Sequence, residues 1–194
     1  LSPDQKALAL NLDPLCYGSF AEIGAGQEVV RHFFRVGGAA ATVAKSISAY
    51  DMQFSDAIYG KEKSGRYVCQ SRVEHMLNHE YQLLAERLSE SRGEKSRFFA
   101  FANTVAARSF SNSKNCHGWM GMRFQIEPQV PFSQIIIHVR LLDNDIHMQQ
   151  QVLGIVGVNL MQSPFYIYDD PSRLKRECND NTEPQCMLIV LVEA

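Results

Sequence analysis

The stretch "SFAEIGAGQEVVRHFF", residues 19–34, sets a short apolar run before Gly24-Ala25-Gly26 and an amphipathic segment after it. That order is a strand, a glycine turn and a helix, the unit from which α/β folds are assembled. The strand is predicted at "SFAEI" and the helix from about residue 27 to 36, with Val29, Val30, Phe33 and Phe34 on one side. Gly37-Gly38 stops it.

Two readings of the glycine turn stand side by side. As a ligand loop, Gly24 and Gly26 would bring main-chain N–H groups close to an anion at a helix start, as dinucleotide sites do. As a structural turn, they would only let the chain reverse. The third glycine of the dinucleotide fingerprint is absent, because Val29 stands in its place.

Outward from this unit, residues 1–12 read as a short helix ended at Asp13-Pro14, and "AAATVAKSISAY" (39–50) as a second, close-packing helix that 51–59 extends after a bend. "GKEKSG" (60–65) is a surface loop. Residues 71–89 carry Val73, Met76, Leu77, Leu84 and Leu88 at helical spacing, with His75, His79, Gln82 and Glu86 on the opposite side. "FFAFA" (98–102) reads as a strand. "WMGMRFQIEP" alternates Met120, Met122 and Phe124 against Gly121, Arg123 and Gln125, and with "SQIIIHVRLLD" it forms an antiparallel hairpin. Residues 146–166 read as a helix with Gly154 and Gly157 at a close contact, or in part as a strand at "LGIVGVNL" (153–160), 169–184 as a polar loop, and "CMLIVLV" as the last strand. The expected fold is therefore α/β, a mixed sheet with an antiparallel hairpin at about 117–143 flanked by helices. Residues 1–194 are taken as one α/β domain, truncated at its C-terminus and part of a larger fold.

Composition narrows the function classes. Of 194 residues, 19 are Lys or Arg and 21 are Asp or Glu, a net charge of −2 that offers no field for a polyanion, so no nucleic acid partner is expected. The longest apolar stretch, 152–161, is about half of what a membrane helix needs, and no membrane association is expected. The five cysteines (Cys16, Cys69, Cys116, Cys178 and Cys186) are odd in number and contain no CxxC pair, which fits a cytoplasmic protein with reduced thiols.

Four other motifs were weighed for chemistry. Lys45-Ser46 follows "GGAAATVA" as in a degraded phosphate loop, and is read as helical with Lys45 in solvent. His75 and His79 have the spacing of a helical zinc pair, but Met76 replaces the expected glutamate; both are read as solvated, with no metal. In "CHGW", Cys116 and His117 are neighbours on a strand and so face opposite sides, which argues against a nucleophile pair. His117, Arg123, His138 and Arg140 on the hairpin are candidate anion contacts, joined by Asp51 and the Gly24 loop if all converge on one pocket.

The segments 17–60, "FANTVAARSF", "CHGWMGMRFQ", "SQIIIHVRLLD" and "LGIVGVNLMQ" together resemble the amino-terminal part of a longer bacterial family, over residues 10–168. That family carries two labels, nicotinate-nucleotide adenylyltransferase-like protein and TonB-dependent receptor. A receptor barrel requires many alternating strands of about ten residues, and the sequence shows that alternation chiefly in one hairpin. The other label implies an α/β protein binding a nucleotide or another phosphorylated small molecule, while supplying no catalytic residue. The alternative is a non-catalytic interaction domain of a larger protein.

Overall fold

A computed structural model of the protein describes residues 1–109, 115–166, 176 and 186–193. Its centre is a six-stranded sheet in the order β2-β1-β3-β4-β5-β6. The strands are β1 (Cys16–Gly24), β2 (Val43–Ile47), β3 (Arg97–Ala106), β4 (His117–Phe124), β5 (Ser133–Leu141) and β6 (Cys186–Glu193). β1 runs parallel to both β2 and β3, whereas β3 to β6 pair antiparallel, so the sheet is mixed and β4–β5 is the hairpin expected from its alternation. α1 (Pro3–Asn11) precedes the first strand, and α2 (Val29–Val36), α3 (Met52–Tyr59), α4 (Gln70–Arg92) and α5 (Ile146–Tyr166) lie between later ones.

The period of two along each strand separates the core into two layers. Phe20, Phe99, Phe101, Met120, Met122, Phe124 and Ile137 face α1, α2 and α5, where Ala7, Phe33, Leu153 and Val156 meet them. On the other face the sheet presents small residues, Ala21, Ala100 and Ala102, against Val73, Met76, Leu77 and Leu84 of α4. Large residues thus back one helical layer and small ones allow a close approach of the other.

α1 opens with a full capping box, since the Ser2 hydroxyl accepts from Gln5 N and the Gln5 side chain accepts from Ser2 N. α5 crosses α2 at Gly157, where a Cβ would lie 2.2 Å from Val29 Cγ2, so the predicted close contact is formed there. Among the described residues no helix is long and apolar enough to cross a membrane.

The sequence reading of residues 39–50 as a helix is corrected. Gly37 and Gly38 adopt φ of 84° and 76°, reversing the chain into a 3₁₀ turn at Ala39–Ala41. Val43 to Ile47 then joins the sheet beside β1, because pairing with an open strand edge satisfies these backbone groups and overrides the helix propensity of alanine. Lys45 is consequently no solvated helical residue: its Nζ lies 2.5 Å from Glu80 Oε2, a carboxylate with no exposed side-chain area. α3 does not continue an earlier helix but starts afresh at Asp51. The polar loop expected at 169–184 falls outside the described residues except for Arg176, which is exposed.

Candidate functional site

Chain order reverses beside β1, because α2 leads from it to β2 on one side and α3–α4 lead back to β3 on the other. Open α/β sheets bind ligands at such a point, beyond the carboxyl ends of the strands. A cleft of about 570 Å³ opens there, lined by Gly24 at the end of β1, Gln27 and Glu28 before α2, Tyr50 before α3, Arg108 after β3 and Gln150 of α5. That volume lies within the roughly 300–1,000 Å³ usual for small-molecule sites.

Behind the cleft, Glu22 occupies the start of α2. Its carboxylate is 2% exposed and accepts from Val29 N at 3.1 Å and Val30 N at 3.0 Å. Asn103 Nδ2 donates to the same carboxylate at 2.9 Å and to Gly26 O at 2.8 Å, tying β3, β1 and the loop together. The helix thus carries its own anion where a phosphate would otherwise sit. Burial pushes the Glu22 carboxyl up to about 7 despite the N–H donors of Val30, Val29 and Asn103, which favour the charged form.

Both loop glycines are required by packing. Gly24 holds φ of 76°, and a Cβ on it would lie 2.4 Å from Val105 O. On Gly26 a Cβ would lie 2.4 Å from Asn103 Oδ1 and 2.8 Å from Val105 Cγ2. Each glycine lets the loop lie directly on β3.

The opposite wall is anchored at its backbone. Arg108 N donates to Gln149 Oε1 at 2.8 Å, and Gln149 Nε2 donates to Asp143 O at 2.7 Å, which joins the end of β3 to the start of α5. The guanidinium of Arg108 donates to Asn144 Oδ1 at 3.2 Å. Tyr50, 74% exposed, offers an open aromatic ring to the cleft.

The residues singled out from the sequence are distributed over separate places. Gly24 lines the cleft and Gly26 lies behind it against Asn103. Asp51 adjoins Tyr50 but caps α3, its Oδ1 accepting from Phe54 N at 2.8 Å. Arg123 sits at the far end of β4, bonded to Gln134 Oε1 and Asn78 Oδ1 and stacked over Phe132. His117, His138 and Arg140 form a group of their own at the other end of the hairpin. Cys116 is buried in the α5 layer, with His117 on the opposite face as strand geometry requires.

The α4 histidines depart from the solvated reading. His75 is exposed, yet its Nδ1 lies 3.1 Å from buried Glu62, and His79 sets its ring edge-on to Tyr59 at 5.4 Å. Among the described residues no group of three or more His, Cys, Asp or Glu is placed to hold a metal. Sequence reasoning missed Tyr50 and Arg108, which carry no periodic signal, and Glu22, whose one clue is a polar side chain within an apolar strand.

Neither a family profile nor a curated protein matches the sequence. Solved structures do match in fold. A competence-damaged protein (CinA) superfamily protein from Klebsiella pneumoniae superposes with a TM-score of 0.57 at 10% identity, over 84% of this chain and 95% of its own. The competence damage-inducible protein A from Klebsiella pneumoniae subsp. pneumoniae gives 0.57 at 9% identity, over 87% and 100%. A competence/damage inducible protein from Agrobacterium tumefaciens gives 0.53 at 15%, over 82% and 93%. At these identities the likeness establishes the architecture: this chain has the α/β fold of the CinA-type structures.

Proposed function

We propose that this chain is a cytoplasmic small-molecule-binding domain whose cleft takes a nucleotide or a phosphorylated metabolite of similar size. The observation that carries this reading is the cleft at the strand-order reversal, with a guanidinium, an open tyrosine ring and two amide side chains on its walls. Tyr50 supplies a face for a flat ring, Gln27 and Gln150 supply hydrogen-bond donors and acceptors, and Arg108 supplies the positive charge for a phosphate. Because Glu22 already fills the α2 start, the phosphate falls to Arg108 and not to the glycine loop. The adenylyltransferase-like label of the resembling family points to the same ligand class. Cys16, Cys69 and Cys116 are free thiols, in keeping with a reducing compartment.

The test is ligand-induced thermal stabilisation with nicotinate mononucleotide, AMP and a sugar phosphate. A ligand at a hundred times its Kd stabilises by about 2.7 kcal/mol, which raises Tm by roughly 5–10 °C for a chain of this size. Arg108→Ala should remove the shift while melting normally without ligand. A panel that leaves Tm unchanged refutes the reading. The second reading, a non-catalytic interaction domain of a larger protein, draws on the separation of the hairpin cations from the cleft.

A further inference from the structure

Three basic side chains meet at one end of the hairpin, and among the described residues no carboxylate joins them. His117 Nδ1 and His138 Nε2 lie 3.1 Å apart, and Arg140 stands directly opposite His117 in the β4–β5 register. Trp119 stacks on His138 with ring centroids 4.5 Å apart and planes 21° from parallel. Elsewhere the pattern differs: His32 is paired with Asp4, His75 with Glu62, Arg72 with Asp56 and Arg97 with Asp13. Among the described residues neither a hydrogen bond nor an ion pair engages Arg140, which is exposed.

We propose that His117, His138 and Arg140 form a second anion site, distinct from the cleft, which takes a phosphate group with the Trp119–His138 stack as its floor. Among the described residues the charge of Arg140 is uncompensated. A neutral histidine pair holds one proton on the line between its two ring nitrogens. A second proton sets two N–H groups against each other across 3.1 Å, beside a guanidinium. An oxyanion between the rings and Arg140 converts that repulsion into charge-assisted hydrogen bonds.

Among the described residues the surroundings supply no such anion. β3 sets Thr104 and Ala106 opposite Trp119 and His117, and β6 sets Met187 and Ile189 opposite Arg140 and His138. On the first turns of α4, the Glu74 carboxylate is engaged by Gln70 Nε2 at 2.7 Å. Burial, with Arg140 and with His117 beside His138, holds both imidazoles below their ordinary 6.5. Anion binding must therefore take up a proton, and affinity should rise as pH falls.

The experiment titrates His117 and His138 by NMR from pH 5 to 8, with and without inorganic phosphate, and follows the fluorescence of Trp119, the one tryptophan in the chain. Saturating phosphate should raise the two imidazole pKa values by about one in sum, so that phosphate binds roughly tenfold more tightly at the acid end of the range. Arg140→Gln should weaken binding at every pH, His138→Gln should remove its pH dependence, and Arg108→Ala should leave both intact, which separates this site from the cleft. A parallel arm with a nucleoside monophosphate separates the two sources: tighter binding with a change in Trp119 emission assigns an esterified phosphate, and equal binding a free one. Imidazole titrations that ignore both ligands, or a phosphate effect that survives Arg140→Gln unchanged, overturn the proposal.

Discussion

Replacing Gly26 with alanine should destabilise the protein in the absence of any ligand. The added Cβ would stand 2.4 Å from Asn103 Oδ1 and 2.8 Å from both Asn103 Cγ and Val105 Cγ2, distances that real structures do not sustain. Either the loop lifts from β3 or Asn103 turns away, and Asn103 Nδ2 is bonded to both Gly26 O and Glu22. Overpacking costs about 1–3 kcal/mol, and each hydrogen bond lost adds about 0.5–1.5 kcal/mol. The expected loss is about 2–4 kcal/mol, a fall in Tm of roughly 5–15 °C for a chain of this length. Differential scanning calorimetry of the free protein measures it directly. Asn103→Ala clears the nearest obstructing atom, so the double variant should lose less than the two single losses combined, by about 1 kcal/mol or more. A Gly26→Ala protein that melts within 2 °C of the parent yet no longer binds nucleotide would refute the packing argument and restore the loop as a ligand cradle.

Two further outcomes follow from buried groups. Moving the Glu22 carboxyl from its ordinary 4.5 to about 7 corresponds to about 3 kcal/mol. Because the folded value is raised, this stabilising share is complete below about pH 4.5 and is lost as pH rises through about 7. Urea melts of the parent against Glu22→Gln should therefore show the parent's relative stability falling across that window, and a flat difference would refute it. Leu84, 5% exposed in the α4 layer, should cost about 2–5 kcal/mol on truncation to alanine, whereas truncating exposed Gln82 should leave the denaturation midpoint within 0.5 kcal/mol of the parent.

The parts of the fold legible in the sequence are those whose period matches their burial. β4 alternates because one face meets the α5 layer and the other α4, and α4 shows its stripe because only one side is covered. β2 was hidden because Val43–Ile47 follows an alanine run and has no clear alternation of its own; what makes it a strand is the edge of β1. The site is less legible for the same reason. Glu22 finds its partners at Val29, Val30 and Asn103, the last of them 81 positions away, and no local pattern announces a carboxylate that caps a helix from inside a strand. Arg108 and Tyr50 lie in irregular segments whose meeting place is set by the sheet. Asp51, a candidate ligand contact by its sequence, serves in the structure as the cap of α3.

The two kinds of pairing in the sheet also set a timetable. Contacts within the β4–β5 hairpin join residues as close as Phe124 and Ser133, and Arg123 bonds Gln134 across 11 positions, whereas β1 meets β3 across 81 positions, as Cys16 to Arg97 does. Closing the longer loop costs more chain entropy and rewards it only after α2, β2, α3 and α4 have been laid down between the two strands. The β3–β4–β5 meander should therefore assemble early and the β1–β3 pairing last. The cleft lies beside that late pairing, so it is completed only when the pairing of longest sequence separation closes.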